Sequence, residues 1–213
     1  VSSIVELERL GVSLGGSLVL DEITIAIDGG EIVGISGTNG TGKTTLLRAM
    51  ATLISPTSGG GVVLGARLGT TEVYEMRKQV GLISHLPAVI DELTLRENLT
   101  HAVRLAGEEV ARVDGALRAV GLDAAGHRRA SASSFGMLRR TEIARLLILR
   151  PRLLLLDEAT AGLDVDARTL IDALIDRTID SGGCVVMVSH DVSHVSRAGT
   201  RFLLAAGALV EQA

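Results

Sequence analysis

Aromatic residues are almost missing from this chain of 213 residues. There is no tryptophan, and Tyr74, Phe135 and Phe202 are the only rings. Stacking on nucleic-acid bases is therefore nearly unavailable. A single cysteine, Cys184, excludes an intramolecular disulfide framework and a multi-cysteine zinc site. Lysine is scarce too. Of 21 basic residues only Lys43 and Lys78 are lysine, so a lysine at a particular place asks for a reason. Long apolar runs are also absent. The most apolar stretch, 143–156, is cut by Arg145, Arg150, Pro151 and Arg152, well short of the roughly 18 uninterrupted apolar residues of a membrane span. Glu6, Glu8 and Arg9 near the start do not read as a secretory signal. The expectation is a protein soluble by itself, with any membrane span supplied by another chain. The net charge of -4 argues against a nucleic-acid partner held by phosphate neutralisation, although a small basic patch is compatible with it.

Glycine, by contrast, is plentiful. There are 25 glycines against 3 prolines, above the ~7% glycine of ordinary chains, a pattern of close backbone approaches rather than disorder. Residues 3–9 and 17–28 read as strands, the second with Leu18, Leu20, Ile23, Ile25 and Ile27 largely alternating and a break near Asp21 and Glu22. Residues 32–36 form a short apolar run before a glycine loop and a helical run over 43–54. Further short strands are expected at 62–64, 80–84, 153–156, 184–188, 202–204 and 209–210. An amphipathic helix over 166–180 turns Leu170, Ile171, Leu174, Ile175 and Ile179 inward.

Residues 87–140 have a different character. Thr94 and Glu97 make a capping box, opening a helix with Leu95, Leu99, Ala102, Val103 and Ala106 on one face. A second helix, 108–120, buries Val110, Val113, Leu117 and Val120 and ends at Gly121. The stretch reads as a small helical insertion, about 87–140, in one domain covering 1–213. Strands alternating with helices imply a mainly parallel α/β sheet.

Three motifs carry chemistry. Residues 37–45 read GTNGTGKTT and match G-x-x-x-x-G-K-[ST]. Gly37, Gly40 and Gly42 let the backbone curl so that its N–H groups, with Thr38, Asn39 and Thr41, face phosphate oxygens. The helix behind adds its positive end. Lys43 supplies a point charge to the β- and γ-phosphates, and the Thr44 hydroxyl, next to Thr45, is a hard ligand for Mg²⁺. The second motif ends the apolar run 153–156 in Asp157 and Glu158. Asp157 can orient Mg²⁺, and Glu158 can polarise an attacking water as general base. The third is His190, at the end of 184–188, the third strand end to carry a polar group to the sheet edge where ligands bind in open α/β folds. It is expected at the γ-phosphate.

Together these residues resemble an ATP-binding cassette (ABC) ATPase, the motor subunit of ABC transporters, over essentially the whole chain. The order is phosphate loop, helical insertion, signature, aspartate–glutamate strand, D-loop and H-loop. Residues 161–164, AGLD, occupy the D-loop position and end in Asp164. Residues 133–140, SSFGMLRR, occupy the signature position, where the family commonly has leucine-serine-glycine-glycine-glutamine and several exporter-type members have Gly-Met. The resemblance is exporter-type, nearest to haem-exporter and drug-export ATP-binding subunits.

It implies a P-loop NTPase (RecA-like) core with a mainly parallel sheet, an N-terminal antiparallel β subdomain and the helical insertion. It implies ATP and Mg²⁺, and a head-to-tail dimer of ATPase subunits in which each ATP lies between one phosphate loop and the partner's Ser134, Gly136 and Met137. It also implies a transmembrane permease subunit driven by closure and opening, a place in the cytoplasm against the inner face of the membrane, and no nucleic acid.

Some positions depart from the family's pattern. Leu14 stands where an aromatic commonly stacks on adenine, so an aliphatic contact with weaker base selectivity is expected. His85 stands at the Q-loop glutamine, from which an imidazole can approach Mg²⁺ or the attacking water. Phe135 and Met137 replace usual signature residues, and Ala159 stands where proline is usual. Two other functions fit the motifs: a cassette ATPase without a membrane partner, of the iron–sulfur assembly kind, and a nucleotide-binding regulatory cassette. Intact Lys43, Asp157, Glu158 and His190 oppose the last.

Overall fold

The computed structural model describes residues 3–160, 163–189 and 197–212. Its strands are β1 (Ser3–Leu14), β2 (Ser17–Asp28), β3 (Ile32–Ser36), β4 (Ser58–Val63), β5 (Ala66–Arg67), β6 (Val80–Ile83), β7 (Leu153–Asp157), β8 (Cys184–Ser189), β9 (Thr200–Ala205) and β10 (Ala208–Gln212). Its α-helices are α1 (Lys43–Met50), α2 (Val73–Met76), α3 (Leu95–Leu105), α4 (Arg112–Ala119), α5 (Phe135–Leu149) and α6 (Val165–Asp180). The chain divides into two compact units. One comprises Val1–Leu82, Pro151–Glu158 and Thr178–Ala213; the other comprises Ile83–Arg150 and Ala159–Arg177.

The first unit is built on two sheets. A six-stranded sheet has the order β10-β9-β3-β8-β7-β6. β3 pairs in parallel with β8 and β9, and β7 with β8, while β10 pairs antiparallel with β9. β7 and β8 are buried at every position, which is why they read as continuous apolar runs: parallel strands are covered on both faces. A four-stranded antiparallel sheet has the order β2-β1-β4-β5. One hydrophobic cluster joins both sheets to α1, with Leu7, Leu20, Ile35, Leu47 and Val186 among its members. The sheet is mixed rather than wholly parallel, and the N-terminal sheet is antiparallel, as expected for this fold class.

The break near Asp21 and Glu22 is a bulge. Glu22 has φ 49° and Arg9, on the facing strand, has φ 44°. The register runs Leu7↔Ile25, Leu10↔Ile23 and Val12↔Leu20, so each strand carries one extra residue and the inward alternation recovers. Leu18, expected inside, is 59% exposed. The run expected to be helical to 54 stops at Met50. Thr52 takes a left-handed φ of 60°, and the Arg77 guanidinium donates to both its hydroxyl and its carbonyl.

In the second unit α5 packs against α3 and α4. Leu95, Leu99, Val103, Val113, Leu117, Ile143 and Leu146 are buried there. The capping box forms as expected. The Thr94 hydroxyl accepts from Glu97 N, and the Glu97 carboxylate accepts from Thr94 N at 2.8 Å. The second helix starts later than the pattern suggests, at Arg112, because Arg112 and Val113 donate three residues back to Glu109 and Val110. Val110 is 38% exposed and is not part of the buried stripe. Gly121 follows α4 with φ 69°, and Leu122 N reaches back to Leu117 O at 2.8 Å, closing the helix end as glycine at that position does.

Candidate functional site

The phosphate loop sits between the central strand β3 and α1. A Cβ on Gly37 would stand 2.5 Å from the Leu204 carbonyl, so only glycine lets the loop cross β9 there. Gly42 caps α1 with φ 101°, and a Cβ there would meet Leu20 Cδ2 at 2.8 Å. Gly42 offers no side-chain hydrogen bond to the first turn, and that turn holds no acid. The leading amides of α1 are thus left to whatever the loop encloses. Lys43 is buried, and its ammonium donates to the carbonyls of Gly37 (2.8 Å) and Thr38 (2.9 Å). The Thr41 hydroxyl donates to the same Thr38 carbonyl at 2.9 Å.

Two strand ends complete this corner. Thr44 Oγ1 donates to Asp157 Oδ2 at 2.7 Å, although the two residues stand far apart in sequence. Asp157 closes β7 and is buried. Glu158 follows with a left-handed φ of 51°, uncommon for a residue with a side chain. Its N–H donates to Val188 O at 3.0 Å, and its Oε2 accepts from Ser189 Oγ at 3.0 Å. Val19, Asn39, Gly40, Gly42, Lys43, Thr44, Thr45, Asp157 and Glu158 line one cavity of about 250 Å³. A larger cavity of about 440 Å³ shares Val19, Asn39 and Gly40 with it and adds Leu18, Asp21, Thr41, Ala206 and Gly207.

This corner fits a nucleotide polyphosphate with a divalent cation. It offers a cradle that a Cβ would fill, one cation, and a hydroxyl–carboxylate pair of hard oxygen donors. Among the described residues no cluster of three or more His, Cys, Asp or Glu could hold a metal unaided.

Leu14 ends β1, is 45% exposed and lines neither cavity. The aliphatic residue that lines both is Val19, which the sequence reading did not single out. The signal was present: Val19 is out of phase with the buried Leu20 on β2. His190, Ala161 and Gly162 lie outside the described residues.

The remaining expected site residues belong to the second unit. Ser134 is the N-cap of α5, and its hydroxyl accepts from Met137 N at 3.3 Å. A Cβ on Gly136 would meet only Ser134 Oγ, at 4.0 Å. Asp164 lies just ahead of α6. It accepts from Ala167 N at 2.7 Å and from Arg140 Nη2 at 3.2 Å. The Ala167 amide, with the Arg140 guanidinium, holds its carboxyl below the usual aspartate value. His85 is exposed, and its carbonyl accepts from Arg139.

The fold and phosphate site define a P-loop NTPase. An ABC transporter family profile matches residues 20–161. The chain is 37% identical over 187 residues to the cytochrome c biogenesis ATP-binding export protein CcmA of Ruegeria sp., covering 87% of this chain and 84% of that one. It is 33% identical over 207 residues to the methionine import ATP-binding protein MetN of Geobacillus kaustophilus, covering 93% and 60%. The dimeric structure of a post-hydrolysis state of the ATP-binding cassette MJ0796, bound to ADP and Pi, superposes with a TM-score of 0.87 at 23% identity, covering 98% of this chain and 97% of that one. Some relatives are longer, and the chain spans about half the length of the first of them. The chain belongs to the ABC transporter family. Among the described residues no helix is long and apolar enough to cross a membrane.

Proposed function

We propose that this chain is the ATP-hydrolysing motor of an ABC exporter, held at the inner membrane face by a separate transmembrane permease and acting as a head-to-tail dimer. The observation that carries the ATPase part is the Thr44–Asp157 hydrogen bond beside the Lys43 ammonium, at the mouth of an uncapped helix. In this reading the amides of 38–44 and Lys43 hold the β- and γ-phosphates, and Thr44 and Asp157 hold Mg²⁺. Mg²⁺ supplies neutralisation of the charge that builds on the phosphates. Glu158, fixed by Val188 O and Ser189 Oγ, orients a water whose oxygen bonds to the γ-phosphorus and whose proton passes to the carboxylate. The bond to the β–γ bridging oxygen breaks, and ADP and phosphate leave.

His190 contacts the γ-phosphate, and His85 approaches Mg²⁺ or the attacking water. Val19, which lines both cavities, meets the base, with Leu14 at the end of β1 as the other aliphatic candidate. Ser134, Gly136 and Met137 close on the ATP held by the partner subunit, and Asp164 is the D-loop residue. The domain covers 1–213 with a helical insertion over about 87–140, and the groove near His85 and residues 87–100 receives the permease.

Export, rather than import, is supported by the Gly-Met of the signature and by the similarity to CcmA, whose printed name is that of an export protein. Purification from detergent-solubilised membranes, with identification of what accompanies the chain, tests the transporter reading. A co-purifying polytopic membrane protein is expected. Recovery only with water-soluble partners would overturn the reading in favour of a cassette ATPase without a permease. For the chemistry, Glu158→Gln should lower kcat by about 10²–10⁴-fold with ATP affinity retained. An unchanged kcat removes Glu158 from the base role.

A further inference from the structure

Helix α5 carries a charge pair that the nucleotide chemistry does not use. The side chains of Arg139 and Glu142 are each about 1% exposed, and Arg139 Nη1 donates to Glu142 Oε2 at 2.6 Å. A buried ion pair is a poor stabiliser by itself, because two apolar residues of similar volume often serve the fold as well or better. What apolar residues lack is a grip on main chain, and here the pair has one at two points. Arg139 Nη2 donates to the His85 carbonyl at 3.0 Å. Glu142 Oε1 accepts from Ala88 N at 3.0 Å. Both ends of the 85–88 segment are thereby fastened to one turn of α5. The guanidinium also lies over the Phe135 ring, 5.3 Å from its centre, and Phe135 is the first residue of α5, next to the Ser134 cap. An unbroken set of contacts runs from the helix start through Phe135 and Arg139 to the 85–88 main chain.

We infer that Arg139 and Glu142 are positioning residues that lock the 85–88 segment to the start of α5, so that a displacement of that segment is passed to Ser134 and Gly136. The inference rests on the proposed function, in which 85–88 faces the permease and Ser134 and Gly136 close on ATP. Arg suits the first position because its fork binds Glu142 and the His85 carbonyl at once, which a lysine ammonium cannot do in the same planar geometry. The apolar face of Phe135 against the guanidinium gives a reason for a ring where the family's pattern has a small residue.

The test uses the dimer-competent full chain and three variants. R139M/E142L replaces the pair with apolar residues, E142Q keeps an acceptor for Ala88 N, and R139K keeps the charge but loses the fork. In R139M/E142L, hydrogen exchange at the Ala88 amide should speed up by about tenfold or more while the melting temperature stays within a few degrees of wild type. Its kcat should fall by at least about tenfold, with the affinity of a fluorescent ATP analogue for the phosphate loop unchanged. E142Q should retain most of the activity. R139K should fall between the two, and it carries the comparison if the double variant does not fold. A folded R139M/E142L with wild-type kcat, or unchanged exchange at Ala88, overturns the inference. If wild type hydrolyses no ATP, the proposed function fails on its own, and Ala88 exchange in the same variants still decides whether the tether exists.

Discussion

Helices α1 and α3 begin in opposite ways. α3 closes its own first turn: Thr94 and Glu97 exchange hydrogen bonds, and an acid sits where the helix end is positive. α1 begins with Gly42, no capping side chain and no acid, behind a buried lysine. The first arrangement is complete without a ligand and would repel an anion. The second leaves its donors pointing into the loop. α5 stands between them, with a serine cap and no acid in its first turn. The lesson is that a helix start becomes an anion site by what is withheld from it, and that the degree of withholding is legible residue by residue.

That contrast can be broken at each helix, with effects of decreasing size. Lys43→Ala removes the one cation from the α1 start. ATP turnover should fall by about 10²–10³-fold, with the melting temperature little changed. A turnover assay settles it, and near-normal turnover would show that the α1 start is not the phosphate site. Ser134→Ala removes the hydroxyl proposed to meet the partner's γ-phosphate. Here kcat should drop by about tenfold or more, since hydrogen bonds to charged groups count for about 1.5–3 kcal/mol, while nucleotide affinity in a monomeric sample holds. Thr94→Ala should do the reverse, costing about 1 kcal/mol of stability in a denaturant titration and leaving kcat alone.

The smallest effect concerns acid. The Thr94 amide and hydroxyl hold the Glu97 carboxyl below the ordinary glutamate value. The folded value is depressed, so this contribution is present above the unfolded value and fades as pH falls through the folded one. Glu97→Gln should therefore melt earlier than wild type near pH 7, and the two should converge as pH falls through the depressed folded value. A gap that persists in acid would mean that Glu97 acts otherwise.

Much of this was open to reading in the sequence because the decisive signals are local. The phosphate loop, the capping box and the strand 153–156 each announce themselves within a few residues, and β3 has the bounds the pattern suggests. Signals that depend on distant partners stayed hidden. The end of α1 is set by Arg77, 25 residues beyond Thr52. The exposure of Leu18 follows from where β2 lies at the sheet edge, and Val110 from a turn that delays α4. Val19 emerged as a cavity wall only once β2 was placed against Gly42. The buried Arg139–Glu142 pair was visible as two opposite charges three apart, but such spacing also describes any solvated helix face. Only the burial distinguishes them.

One quiet residue has a practical side. Cys184 is fully buried in β8, and burial pushes its thiol up to about 12. Thiolate is the reactive form, so at neutral pH this lone thiol is shielded from maleimides on two counts. The chain behaves as a ready-made cysteine-free background. A cysteine introduced at exposed Leu86, or at Thr169 on α6, would take a spectroscopic label alone, and distances between labels could then follow the ATP cycle without first rebuilding the core.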